Sequence, residues 1–168
     1  MNTATIPAQT PIPRIDILLN SMGKSTIFSA LYLKDGFYHI LINETDEAKT
    51  AVSTPSGILC KWLVMQQGLK NAPATFNRVV AHLMRPHRSY APHYFDDVLA
   101  HCKAEEGLSE IELHKLHLDI VLQTLRDARL CFNLQKCVIG VPEIPVLGCI
   151  VVKHGVRAVS EKVKAINE

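Results

Sequence analysis

The sequence predicts an α+β fold, an antiparallel sheet with helices packed on one face. Three observations lead to it. Short apolar and partly β-branched runs recur at strand length, at 27–33, 37–42, 49–53 and 59–65. Two longer stretches, about 71–86 and 109–129, instead space their apolar residues at helical intervals. The resulting order of strand, helix, hairpin, helix and strand pair suits an antiparallel sheet, because a hairpin and a strand pair can each close locally.

The chain opens with residues 1–13, which hold three prolines and no periodicity and read as an extended arm. A short helix follows over 12–22, through Arg14-Ile15-Asp16-Ile17-Leu18-Leu19, and ends near Gly23. Residues 27–33 read as a buried strand. Those at 37–42 and 49–53 form two more, joined by the polar turn Asn43-Glu44-Thr45-Asp46-Glu47, and 59–65 a fourth. Asn71 is placed to cap the next helix, with Pro73 in the first turn, where its missing N–H costs nothing. Phe76, Val79, Val80 and Leu83 supply its apolar face until Pro86 stops it.

Tyr94-Phe95-Asp96-Asp97-Val98-Leu99 reads as a hairpin. Ser109 then starts the long helix, and Glu112 completes a capping box. Leu118, Val121, Leu122 and Leu125 form its main face. A second stripe of Leu113, Leu116 and Ile120 makes the wheel wider than one core face needs, and marks a candidate interface for a homo-oligomer or protein partner. Strands near 131–138, 146–152 and 156–159 complete the chain, the last two joined by Lys153-His154-Gly155.

Composition agrees with one domain around one core: 168 residues, 48% hydrophobic. Eighteen basic against 16 acidic residues give a net charge of +2, compatible with nucleic acid but too small to argue for it. The five cysteines, Cys60, Cys102, Cys131, Cys137 and Cys149, include no C-x-x-C pair. They read as reduced thiols of an intracellular protein without a zinc site. No apolar run approaches the ~18 residues of a membrane span, so no membrane partner is expected. The polar N-terminus shows no secretory signal, and a cytoplasmic or nuclear location is expected.

The chemistry centres on Asp96 and Asp97. Adjacent carboxylates at a hairpin turn, flanked by apolar and aromatic residues, suit a divalent metal. Two other groups have a functional and a bland reading. His114 and His117, at i and i+3, form either a metal pair or part of a solvated helix face. Arg85-Pro86-His87-Arg88 either touches phosphate or is a soluble loop.

Six blocks occur in order: Arg14-Ile15-Asp16; Leu31-x-Leu33-x-Asp35-Gly36-Phe37-Tyr38; Lys49-Thr50-Ala51; Gly68-Leu69-Lys70-Asn71-Ala72-Pro73-Ala74-Thr75-Phe76; Tyr94-Phe95-Asp96-Asp97; and Leu147-Gly148. Together they resemble the reverse transcriptase of gypsy-type long-terminal-repeat retrotransposons, from about residue 5 to the end. The resemblance implies a polymerase-palm, ferredoxin-like architecture. Residues 14–168 would be one palm domain including part of the fingers at about 37–70. The upstream fingers, thumb, connection and RNase H regions would lie outside the chain.

The resemblance also implies two-metal catalysis with Mg²⁺ or Mn²⁺ held by Asp96 and Asp97. It implies contact of Tyr94 and Phe95 with the primer end, and nucleotide binding by Leu33, Phe37 and Gln67. Phe37 would be the gate against a ribose hydroxyl, although it serves equally as a core side chain, and Gln67 equally as a loop cap.

One position departs from the family pattern. Tyr32 stands where the family has its metal-bridging aspartate, and a phenol, neutral near pH 7, is a poor Mg²⁺ ligand. Tyr32 also reads as a half-buried strand aromatic. Asp35 lies past the strand end with opposite parity and does not replace the ligand. The expectation is a catalytically defective reverse-transcriptase palm, kept as a relic or binding module, with weak metal and weak template–primer binding. The alternatives are a residually active polymerase and a protein-interaction scaffold.

Overall fold

A computed structural model describes residues 2–9, 13–105 and 107–158. In chain order it forms helix α1 (Ile15–Ser21), strand β1 (Ile27–Lys34), the short strands β2 (Val52–Ser53) and β3 (Leu59–Cys60), and helix α2 (Ala72–Met84). The hairpin β4 (His93–Tyr94) and β5 (Asp97–Cys102) follows, then helix α3 (Glu110–Asp127). The chain continues through β6 (Cys131–Phe132), β7 (Val138–Val141), β8 (Glu143–Val146), β9 (Cys149–Val152) and β10 (Gly155–Ala158). The central sheet runs β4-β5-β1-β6, with β7 also paired to β1, and every pairing is antiparallel. Strands β8, β9 and β10 make a second sheet, and β2–β3 a small hairpin.

β1 lies in the middle because both of its faces are apolar. Leu31 and Leu33, with Val98 and Ala100 of β5, point to one side. There Phe76, Val80 and Met84 of α2 and Leu118, Val121 and Leu125 of α3 close over them. Phe28, Ala30 and Leu99 point to the other side, against Leu18 and Met22 of α1 and Ile144, Val146 and Val151 of β8 and β9. The two long helices thus share one face, as predicted, while α1 and the second sheet shut part of the other. Tyr32, Asp96 and Asp97 lie at the end that stays accessible.

Local signals hold where they are local. Ser109 caps α3 through a complete capping box: its Oγ accepts from the Glu112 N–H at 3.3 Å, and its N–H donates to Glu112 Oε2 at 3.1 Å. Asn71 takes the N-cap position of α2 but makes no cap bond with its side chain. Its Oδ1 instead accepts from the Ala8 N–H (2.9 Å) and its Nδ2 donates to the Ile6 carbonyl (2.8 Å), tying the arm to the body.

The structure corrects several expectations. Gly36–His39 and Glu47–Thr50 are 3₁₀ turns rather than strands, and 59–65 pairs only through Leu59–Cys60 and a lone Leu41–Val64 bridge. The chain leaves the sheet at Asp35, with φ 53°, and Gly36 then crosses the Phe76 ring so closely that a Cβ would sit 2.3 Å from it. Leu41, Ile58, Leu59 and Leu63 stay exposed, so among the described residues no second layer rewards a longer strand. The 131–138 run breaks at a turn where Lys136 N–H donates to Asn133 O (3.0 Å), and 146–152 breaks at Leu147-Gly148, both with positive φ.

The second stripe of α3 also breaks up. Leu113 is buried (6% exposed), whereas Leu116 (49%) and Ile120 (40%) face outward. His114 is buried as well, its Nε2 2.7 Å from Ser29 Oγ of β1, so the solvated-face reading of this histidine is wrong. A helix lying across two strands buries a broader arc than one seated in a groove. Ile12 and Val159, the predicted limits of the first helix and last strand, lie outside the described residues, as does the rest of the predicted domain beyond Ala158. Among the described residues no helix is long and apolar enough to cross a membrane.

Candidate active site

β4 and β5 are joined by the two-residue loop Phe95-Asp96, in register Tyr94↔Asp97 and His93↔Val98. Phe95 alone in this loop takes a positive φ, 51°, the sign that a II′ hairpin requires at its first loop position. Glycine is usual there; an aromatic in this region is a strained conformation held by its surroundings. The Phe95 ring packs edge-on against Tyr94 at 5.0 Å and 82°. Asp96 is exposed and Asp97 half-buried.

Tyr32 of β1 lies directly opposite Asp97. Its carbonyl accepts from the Asn133 N–H at 2.8 Å and its N–H is directed at Cys137 Sγ at 3.4 Å, so both main-chain groups turn away from β5. Leu33 N–H, next along, donates to the Asp96 carbonyl at 2.9 Å. Tyr32 and Asp97 are therefore a non-hydrogen-bonded pair, the kind whose Cα atoms approach to about 4.5 Å and whose side chains lie closest. Strand parity puts both on the face that holds Phe28, Ala30 and Leu99. The half-buried Tyr32 ring packs on that cluster together with Tyr94 and Leu147.

Burial and then the neighbouring Asp96, opposed by Lys136, raise the Asp97 carboxyl to about 6. The same surroundings raise the Tyr32 phenol: burial first, then Asp97, Cys137 and Asp96. At neutral pH the Asp97 carboxyl is therefore largely ionised and the Tyr32 phenol neutral, beside the exposed Asp96 side chain. Such a donor set suits one hard divalent cation at the carboxylate pair. Opposite Asp97, β1 offers the Tyr32 phenol rather than a third carboxylate. Among the described residues no group of three His, Cys, Asp or Glu side chains could hold a metal.

The other predicted residues are more dispersed. Phe37 is half-buried, edge-on to Phe76 at 5.4 Å and 63°, within the core beneath α2. Leu33 is buried in that same cluster, on the sheet face opposite Tyr32, so its predicted nucleotide contact can come only from its backbone. Gln67 is exposed beside Gly68, whose φ is 89° and whose carbonyl accepts from Asn2 Nδ2 at 2.7 Å. Sequence reasoning missed Cys137 and Lys136, which border the site from the turn after β6. It also missed His101 and its serine partner; none of these stands in a spacing that marks it.

A sheet carrying paired carboxylates at a hairpin turn beside its central strand, with two long helices behind, has the architecture of a polymerase palm. The chain matches the family described as "Reverse transcriptase (RNA-dependent DNA polymerase)" over residues 1–151, and it belongs to that family. Over its whole length it is 37% identical to the retrovirus-related Pol polyprotein from transposon opus of Drosophila melanogaster, covering 16% of that protein. It is 33% identical to the corresponding polyprotein from transposon gypsy of the same species, again covering 16%. The chain thus spans about a sixth of the length of these relatives, and the gypsy-type resemblance of its motifs stands.

Among solved structures it is similar to the foamy viral protease-reverse transcriptase in complex with RNA/DNA hybrid. The TM-score is 0.82 at 22% identity, covering 99% of this chain and 22% of that one. A form of that protein in complex with double-stranded DNA gives a TM-score of 0.84 at 22% identity, with 99% and 28% covered. These likenesses show a shared fold.

Proposed function

We propose that this chain is a reverse-transcriptase palm, with part of the fingers at about residues 37–70, whose two-metal centre is incomplete and does not synthesise DNA. The observation that carries this reading is the Tyr32–Asp97 pairing, which sets a neutral phenol where a bridging carboxylate is needed. Asp96 and Asp97 would hold one divalent cation, Mg²⁺ or Mn²⁺, whose charge favours the ionised form of Asp97. Because β1 offers a phenol rather than a third carboxylate, no catalytic step is assigned to the centre. Removing a single well-placed electrostatic donor from an active site costs about 10²–10³ in rate, and a bridging ligand is worth at least that.

The remaining residues keep binding roles in this reading. Tyr94 and Phe95 face the primer end, and Phe37, Gln67 and the Leu33 backbone border the incoming nucleotide. Template–primer binding is weak and falls steeply with salt, because a net charge of +2 offers few phosphate contacts. The resolved complexes of the foamy viral enzyme with RNA/DNA hybrid and double-stranded DNA support nucleic acid as the partner class.

Two measurements on the chain and on Tyr32→Asp test the proposal. Mn²⁺ titration followed by electron paramagnetic resonance is expected to show weak binding by the chain and about tenfold tighter binding by the variant, which regains a third carboxylate. Extension of a primed RNA template by the unaltered chain is expected to stay at background in Mg²⁺ and in Mn²⁺. Extension well above background, or equal Mn²⁺ affinity of the two proteins, would refute it.

A further inference from the structure

We infer that the cleft between α1, the end of α2 and the edge strand β4 docks an extended acidic peptide segment of a partner protein. The cleft encloses about 490 Å³, within the range of true ligand sites. Its floor is aliphatic, formed by Ile17, Leu18, Met84 and Pro92, and its rim carries the guanidinium groups of Arg14, Arg85 and Arg88. Among the described residues no carboxylate lines it. Arg14 is already held by Asp16 at 2.6 Å. Among the described residues neither Arg85 nor Arg88 forms an ion pair.

A second observation points into the same place. His93 lines the cleft, and its Nε2 is buried without a hydrogen-bond partner. Burial lowers its pKa and the nearby Arg88 lowers it further. A carboxylate held by Arg88 beside His93 would offset the arginine's effect and favour the protonated ring.

The main chain supplies the third. β4 is the edge of the central sheet. Leu99 N–H donates to the Pro92 carbonyl (2.8 Å) and His101 N–H to the Tyr90 carbonyl (2.8 Å). By alternation His93 turns its own N–H and C=O outward, where an extended chain can pair with them. The floor carries no aromatic ring on which a nucleobase could stack, and the cations ring one pocket rather than tracking a strand of phosphates. An aliphatic side chain seated on the floor, flanked by carboxylates, matches the aliphatic lining, the arginines and the outward edge of β4.

The test uses the full chain with ¹⁵N-labelled histidine and a capped five-residue peptide alternating glutamate and leucine. Expected are saturable shifts of the His93 ring and amide signals and a rise in the His93 pKa. Arg88→Gln, an exposed substitution whose fold is checked by circular dichroism, is expected to weaken binding about tenfold. Arg85→Gln provides the second variant. A peptide alternating lysine and leucine is expected not to bind. Shifts that never saturate, or affinity that both arginine variants leave unchanged, would overturn the proposal. Inorganic phosphate or a single-stranded oligonucleotide raising the His93 pKa as far as the peptide does would overturn the peptide as occupant.

Discussion

His101 is expected to make the fold acid-labile. It sits on β5 opposite Phe28, 5% exposed, with Nδ1 2.9 Å from Ser25 Oγ and Nε2 buried without a partner. Around it stand His114 and His117, each with a buried, unpartnered Nδ1. Burial first, then His117 and His114, together lower the His101 pKa to about 4. Burial lowers those two histidines as well, while Glu105 opposes the shift of His117.

A histidine whose pKa is depressed by folding takes its proton more readily in the unfolded chain. Its contribution to stability is therefore lost as pH falls from about 6.5 to about 4. At ~1.4 kcal/mol per unit, the loss reaches about 2 kcal/mol by pH 5 and about 3 kcal/mol by pH 4. Asp97 acts oppositely. Its pKa is raised to about 6, so its penalty on the fold is relieved as pH falls through that value, which blunts the total curve.

His101→Asn isolates the effect, because the asparagine amide occupies the Nδ1 position, keeps the Ser25 bond and cannot titrate. Urea unfolding of both proteins at pH 7 and pH 5 is expected to show the stability difference moving about 2 kcal/mol in favour of the variant at the lower pH. Parallel pH dependences would refute the reasoning.

Four further outcomes are expected. Gly36→Ala drives a Cβ into the buried Phe76 ring and is expected to cost about 1–3 kcal/mol in urea unfolding. Ser109→Ala removes the capping box of α3 and is expected to cost about 1 kcal/mol by the same measurement, with amide exchange rising in the first turn. Asn71→Ala removes the bonds that hold Ile6 and Ala8, so the Ala8 amide is expected to lose most of its exchange protection while the core amides keep theirs. Leu116→Glu, on an outward-facing side chain, is expected to change stability by less than about 0.5 kcal/mol, and sedimentation of the two proteins reveals whether the exposed remainder of the stripe mediates association.

The sequence by itself determined the features that depend on near neighbours. Ser109 and Glu112 stand three residues apart, so their capping box needs nothing from the rest of the chain. The face of α2 follows from spacing alone, and a two-residue connection leaves the Tyr94–Asp97 hairpin little freedom. The order of the motif blocks identified the family.

Tertiary structure decided the rest. Periodicity says which residues share a face but not how much of the helix its neighbours cover, which is why Leu113 and His114 are buried while Leu116 is exposed. Apolar runs at 37–65 looked like strands but mostly lack a second layer, so sheet pairing there nearly vanishes. Leu33 and Tyr32 are neighbours in sequence, yet the pleat sends one to the core and the other to the carboxylates. The shifts of Asp97 and His101 arise from burial and from charges brought near by folding. Such energies belong to contacts between distant segments, which no local pattern encodes.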